Sequence, residues 1–312
     1  MVKRTSYVCS LKHEQATKLY ELLLTRGWDF DTLPHALWRA NRDKVCVVAY
    51  KSGKLTVQGK GMPEFVQFLL EPEILGEVRF GYEQVLQEAE NPAMFTPHAG
   101  IDESGKGDYF GPLVIAAAYV DADVARCLLS HGTADSKTIR NARRLRELDE
   151  QVRAETGGRF SIVAIGPEAY NRLYSRFGNV NRLLAWGHAK ALENLLEKEP
   201  NCPRAISDQF GRRETVLAAL QDRGRRIRLE QRPRAEADVA VAAASILARA
   251  EFVRRLERLG ETIGRTLPKG AGSQVDAVAA ELAAGAGRNA LRTLAKLHFR
   301  TTAKALAAAD RP

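Results

Sequence analysis

Cysteine is scarce and poorly placed for chemistry. The 312-residue chain has four, Cys9, Cys46, Cys127 and Cys202, and no two stand close enough for a Cys-x-x-Cys clip. That spacing argues against a zinc ribbon or a compact disulfide scaffold and favours small buried thiols in a reducing cytosol. Long apolar runs are missing too. The most apolar window, 239–248, is ten residues long and is broken by Ser245, about half of what a membrane span needs. The start, Met1-Val2-Lys3-Arg4-Thr5-Ser6, lacks the apolar stretch of a secretory signal. A soluble, cytoplasmic, monomeric protein with no membrane partner is expected. There are no repeats and no low-complexity segment apart from an Ala-rich C-terminal end. No Ser/His/Asp or Cys/His arrangement suggests a nucleophile relay. His188 and His298 sit among apolar residues and read as core histidines.

What is present is an ordinary globular composition, 45% hydrophobic and 27% charged, with a net charge of +9. It excludes a disordered or collagen-like chain. The length suits one large domain or two smaller ones, with a full core and no need of staples. The excess of base points to an anionic partner, nucleic acid first. It is unevenly spread: residues 1–60 balance to +6, residues 61–98 to −6 and the remainder to +9. The acidic stretch also holds Pro63, Pro72, Pro92 and Pro97, the mark of a domain edge and linker.

The first part reads as a small α+β unit. A helix is expected over 14–24, ending before Gly27, then a hairpin of strands 45–50 and 55–58. Pro63 should open a short helix through Leu70. Arg39, Arg42, Lys44, Lys51, Lys54 and Lys60 flank the hairpin, with Trp28, Trp38 and Tyr50 interleaved. This is either a face for a nucleic-acid backbone or a solvated face whose aromatics belong to the core. The second part reads as α/β. Strands are expected over 99–102, 113–120, 160–165, 204–208 and 226–230, and helices over 138–155, 180–198, 212–222 and 237–259. That order suits a mixed sheet covered by helices.

Asp102 and Glu103 end an apolar strand and meet a glycine-rich turn, Gly105-Lys106-Gly107. Adjacent strand residues face opposite ways unless the strand end bends. The glycines permit such a bend and a close approach by a ligand. Converging acids stay ionised most easily around a divalent cation; the plain alternative is two solvated loop acids. The stretch nearly spells a Walker A loop, but Gly107 stands where Ser or Thr is required, and the two acids would repel phosphates. Asp208 ends another strand. Asp238 starts a long apolar helix, where an acid is often merely a cap. Ligands gather at strand ends in open α/β sheets, so these segments can deliver all four acids to one place. Four carboxylates without His or Cys suit Mg²⁺ or Mn²⁺ rather than zinc, and in a basic protein suggest two-metal phosphodiester hydrolysis.

The stretch from Asp102 through Gly107 to Asp108-Tyr109-Phe110-Gly111-Pro112-Leu113 resembles the signature of bacterial ribonuclease HIII, a type 2 ribonuclease H. Asp135-Ser136-Lys137, 179–190, Ser207-Asp208-Gln209-Phe210, 242–249, Leu267-Pro268-Lys269-Gly270 and Leu297-His298-Phe299 resemble the same family in the same order. Gly-Lys-Gly resembles the HIII branch, where the HII branch usually has Gly-Arg-Gly. The resemblance implies a ribonuclease H-like catalytic domain over 99–312, a mixed sheet flanked by helices. It is preceded by a linker over 81–98 and a small α+β TATA-binding-protein-like substrate-binding domain over 1–80. It implies an endonuclease that cuts the RNA strand of RNA–DNA hybrids with two Mg²⁺ or Mn²⁺ ions, leaving 5′-phosphate and 3′-hydroxyl ends. Asp102, Glu103, Asp208 and Asp238 match the family's metal ligands. Gly105, Lys106 and Gly107, with Ser104 beside them, match the turn that contacts the 2′-hydroxyl. Ser136 and Lys137 either touch a phosphate or start a capped helix. The arginine-rich run over 212–234 either lines the duplex channel or covers a solvated helix face. A different metal nuclease, or a binding protein without catalysis, stands as the alternative.

Overall fold

The structure, a computed structural model, describes residues 6–133 and 141–309. The chain divides into two compact units, Met1–Glu90 and Asn91–Pro312. No helix among the described residues is long and apolar enough to cross a membrane.

In the N-terminal unit, β1 (Ser6–Ser10), β2 (Asp29–Asp31), β3 (Ala36–Arg42), β4 (Val45–Tyr50) and β5 (Lys54–Gln58) form an antiparallel sheet in the order β1-β5-β4-β3-β2. Residues of alternate parity along the strands, such as Trp38, Ala40, Val47, Ala49, Leu55 and Val57, are buried. They form one core with α1 (His13–Thr25), α2 (Met62–Phe65) and the wider π-type turn that continues it over Val66–Leu75. Pro63 stands in the first turn of α2, where its missing N–H costs nothing. α3 (Glu83–Glu90) lies within the stretch read as a linker. The other, more open sheet face carries Val8, Thr56, Val48, Arg39 and Asp31 in one row across it, Val8 and Asp31 exposed and Val48 buried.

The C-terminal unit is a sheet of β6 (His98–Ser104), β7 (Leu113–Val120), β8 (Phe160–Ile165), β9 (Arg204–Asp208) and β10 (Arg228–Arg232), in the order β10-β9-β6-β7-β8. The β6–β9 and β9–β10 pairs are parallel, and β6–β7 and β7–β8 are antiparallel. The helices, in chain order, are α4 (Ala122–Ser130), α5 (Ala142–Glu155), α6 (Pro167–Phe177), α7 (Val180–Leu196), α8 (Arg213–Ala219), α9 (Val239–Thr262), α10 (Ser273–Leu294) and α11 (Arg300–Ala309). β7 reads Leu-Val-Ile-Ala-Ala-Ala-Tyr-Val and is apolar on both faces because both are covered. Val114, Ala116, Ala118 and Val120 face the α9 side. Leu113, Ile115 and Ala117 face the α7 side. The sheet therefore lies between two helical layers and separates two cores.

Small residues let those layers come close. Gly100 on β6 has no room for a side chain: a Cβ there would stand 2.1 Å from Ala240 C and Val241 N. The first turn of α9 thus rests directly on β6. On the opposite side, a Cβ on Gly187 of α7 would meet Ile115 at 2.7 Å. The strand expected over 226–230 lies two residues later, at Arg228–Arg232, because 224–226 forms a single 3₁₀ turn.

Candidate active site

β6 keeps its alternation to the end. Asp102 pairs opposite Ala116, on the α9 side, and Glu103 opposite Ile115, on the α7 side. The two acids thus serve different layers. Asp102 accepts the Glu103 backbone N–H at 2.8 Å and the Ser245 hydroxyl from α9. Glu103 Oε2 lies 3.0 Å from His188 Nε2, on α7, and Oε1 lies 3.6 Å from Lys106 Nζ. Burial, with the Glu103 charge added, pushes the Asp102 carboxyl up to about 6. Glu103 suffers the same desolvation, but the bonds and charge of His188 and Lys106 outweigh it and hold it below the usual range. The pair is split into one carboxyl that resists ionisation and one that is secured as a carboxylate.

Asp208 ends β9 on the strand beside them. Ile101 and Ser207 are paired in parallel, so the next residues, Asp102 and Asp208, neighbour each other on the α9 face. Asp208 Oδ1 accepts the Ala235 N–H at 3.3 Å. Asp238 caps α9, its Oδ1 accepting Ala240 N–H at 2.9 Å and Val241 N–H at 3.3 Å. A second partner fixes it: His98 Nε2 lies 3.0 and 3.1 Å from the two carboxylate oxygens. His98 Nδ1 stands 2.6 Å from the Thr96 carbonyl, which can only accept, so Nδ1 donates. Asp238 is both the cap and part of the acidic edge, which the sequence had set against each other.

Ser104 ends β6 opposite Val114, and the turn follows. Gly105 has φ +89°, and a Cβ there would meet Pro112 O at 2.3 Å and the Phe252 ring at 2.8 Å. Only glycine fits that position. Gly107 differs: a Cβ there meets nothing within 4 Å, and the residue is exposed. Its backbone is open to an approaching molecule. Lys106 pairs with Glu103 and stands 5.9 Å from the centre of the Phe210 ring, so it is neither free in solvent nor extended outward.

Four carboxylates therefore lie at one edge of the sheet, at the ends of β6 and β9 and the start of α9. Among the described residues, no three His, Cys, Asp or Glu side chains are drawn together closely enough to hold an ion as they stand. The donor set still fits a hard divalent cation: all oxygen, two acids steadied by imidazoles, and one whose ionisation burial and a like charge oppose and a cation would favour.

Some expectations change. Ser136 and Lys137 lie outside the described residues. Trp28 and Trp38 join the N-terminal core, so the sheet's open face carries no tryptophan for stacking. His298 is exposed rather than in the core, its ring stacked 4.3 Å from that of Tyr174. His188 is buried, as read, but its partner is a site acid. His98 was not singled out at all. The signal for it was the two-residue strand period, which puts 98, 100 and 102 on one face once the strand starts at His98.

The ribonuclease HII family model matches residues 99–302. The ribonuclease HIII of Chlamydia pneumoniae is 40% identical over 297 residues, covering 95% of this chain and 96% of that protein. The ribonuclease HIII of Protochlamydia amoebophila is 40% identical over 295 residues, 95% of each chain. Among solved structures, Bst-RNase HIII in complex with Mn²⁺ is similar with a TM-score of 0.65 and 32% identity, covering 99% of this chain and 100% of the other. Ribonuclease H3 of Aquifex aeolicus follows at 0.53 and 25%, covering 94% and 100%. The chain belongs to the ribonuclease HII family and, within it, to the ribonuclease HIII enzymes, which makes it an endoribonuclease.

Proposed function

We propose that this endoribonuclease hydrolyses the RNA strand of RNA–DNA hybrids, leaving 5′-phosphate and 3′-hydroxyl ends. Asp102, Glu103, Asp208 and Asp238 would hold two Mg²⁺ or Mn²⁺ ions. The observation that carries the reading is the convergence of β6, β9 and the start of α9 on one edge with four hard oxygen donors. Bound divalent cations supply an activated water and stabilise charge on the leaving oxygen. His188 aims Glu103, His98 aims Asp238, and Lys106 offsets charge beside Glu103. The backbone at Gly107 has the open space a ribose needs to come within hydrogen-bond reach. The 2′-hydroxyl met there is the group that separates RNA from DNA.

The N-terminal unit is read as the grip, acting through its open sheet face. With Trp28 and Trp38 in the core, that grip makes no use of tryptophan stacking. The test is a labelled RNA–DNA hybrid beside DNA–DNA and RNA–RNA duplexes, with Mg²⁺, Mn²⁺ or chelator. Only the hybrid should be cut, and only with metal. Asp102→Asn should slow the cut by roughly 100-fold or more. Hybrid cleavage that survives Asp102→Asn in clean protein sinks the site assignment. Equal cleavage of duplex DNA would favour a broader metal nuclease.

A further inference from the structure

Lys296 is fully buried, and the reaction gives it no task. Between α10 and α11, it meets the segment that follows the Gly105-Lys106-Gly107 turn. Its Nζ donates to Asp108 O at 2.8 Å, to Gly111 O at 2.8 Å and, at a longer 3.5 Å, to Phe110 O. Its backbone N–H donates to Tyr109 O at 2.9 Å. One residue therefore satisfies four successive carbonyls, 108 through 111.

The surroundings close the same limb from other sides. Gly111 N–H donates to Leu294 O at 2.9 Å and Tyr109 N–H to Gly270 O at 2.8 Å. Gly270 N–H donates back to Asp108 Oδ1 at 2.6 Å. Asn171 fastens the strap from behind, donating to Ala295 O and accepting Leu297 N–H, each at 2.9 Å. Burial pushes the Lys296 amine down to about 7, with the Asp108 charge opposing. Charged or neutral, the amine keeps at least two N–H donors, so the strap does not depend on its titration. A buried amine costs free energy unless its hydrogen bonds are made, and here they are spent on one turn.

We infer that Lys296 is a positioning residue for sugar selection: it fixes the 108–111 limb and so holds the Gly105–Gly107 backbone where the ribose 2′-hydroxyl is read. The inference rests on the proposed reading of that turn. Lys296 touches none of the four acids in any described hydrogen bond. Its loss should therefore blunt discrimination between ribose and deoxyribose before it weakens metal binding.

The experiment uses the full-length enzyme and a hybrid whose RNA strand carries one 2′-deoxynucleotide, with cleavage mapped at that position and its neighbours. Lys296→Met keeps the length of the side chain and removes the donors. It should lower the ribose-to-deoxyribose cleavage ratio by about tenfold or more, because an unfixed hydrogen-bonding site rejects the analogue less well. Its Mn²⁺ affinity, read by titration calorimetry, should stay near the wild-type value. Lys296→Gln keeps two N–H donors on a shorter arm and should fall between; it carries the same comparison if the Met variant does not fold. An unchanged ratio in both variants overturns the inference. So does a fall in Mn²⁺ affinity with the ratio intact. A wild type without ribose preference would overturn the functional reading instead. The strap would then be judged by amide exchange at Tyr109 and Gly111: about tenfold faster in Lys296→Met supports it, and no change overturns it.

Discussion

Asp102 carries a cost that a cation beside it would offset. Its carboxyl is pushed up to about 6, against about 3.9 for an unfolded aspartate, so the folded chain resists losing that proton. A raised carboxyl pKa withdraws stability as pH climbs from the unfolded value through the folded one. Here that window runs from about 4 to about 6 and amounts to roughly 3 kcal/mol in the metal-free protein. Asp102→Asn never ionises and escapes the loss. With chelator present, its melting temperature should rise relative to wild type as pH goes from 4 to 7, and Mn²⁺ should narrow the gap by stabilising the wild type. A difference that stays flat over that range would mean Asp102 is not held this way. Asp102, Glu103 and Asp208 stand out in the sequence as acids at the ends of strand-like runs, whereas Asp238 reads there first as a helix cap; that all four meet at one sheet edge is what the fold adds. The histidines that hold two of them do not stand out in the sequence. A buried histidine usually takes a partner, but whether that partner is a core carbonyl or a site acid depends on which helix faces which strand. That is long-range packing, which the residues around His188 do not reveal.

β6 and α9 form the pair of elements on which the site is assembled. Gly100 sets their distance, since any side chain there would run into the backbone at Ala240 and Val241. Gly100→Ala should push the start of α9 away from the sheet and carry Asp238 with it. The expected cost is roughly 1–3 kcal/mol of stability, as for other overpacked sites, together with weaker Mn²⁺ binding. Melting curves and calorimetric titration would show both. Full metal affinity in a destabilised Gly100→Ala protein would separate the close approach from the site. Most of the C-terminal strands and the long helices α7 and α9 could be read from hydrophobic period, and β7 from its continuous apolar run. β1 and β3 could not. Ser6–Ser10 and Ala36–Arg42 alternate small, polar and aromatic residues too weakly to declare a strand, and their pairing with β5 and β4 supplies what their own sequences lack.

At the scale of the molecule, the division falls after Glu90, inside the stretch over 61–98 where the charge balance turns acidic. If the N-terminal unit is the grip, removing residues 1–90 should weaken hybrid binding and flatten its dependence on salt, while Mn²⁺ affinity of the remainder stays. Unchanged hybrid affinity across several salt concentrations would assign the unit another task. The arginine run over 212–234 contributes less free charge than its count suggests: Arg223 pairs with Glu193 and Glu197, and Arg228 and Arg232 with Glu230. The position of β6 has a different consequence. It is the middle strand of five, paired on both sides and covered by helices on both faces. Openings that fray an outer strand leave Asp102 and Glu103 in place, so the acidic edge belongs to the last part of the C-terminal unit to melt. Heat should take metal binding and the core of the C-terminal unit together, in one transition of that unit.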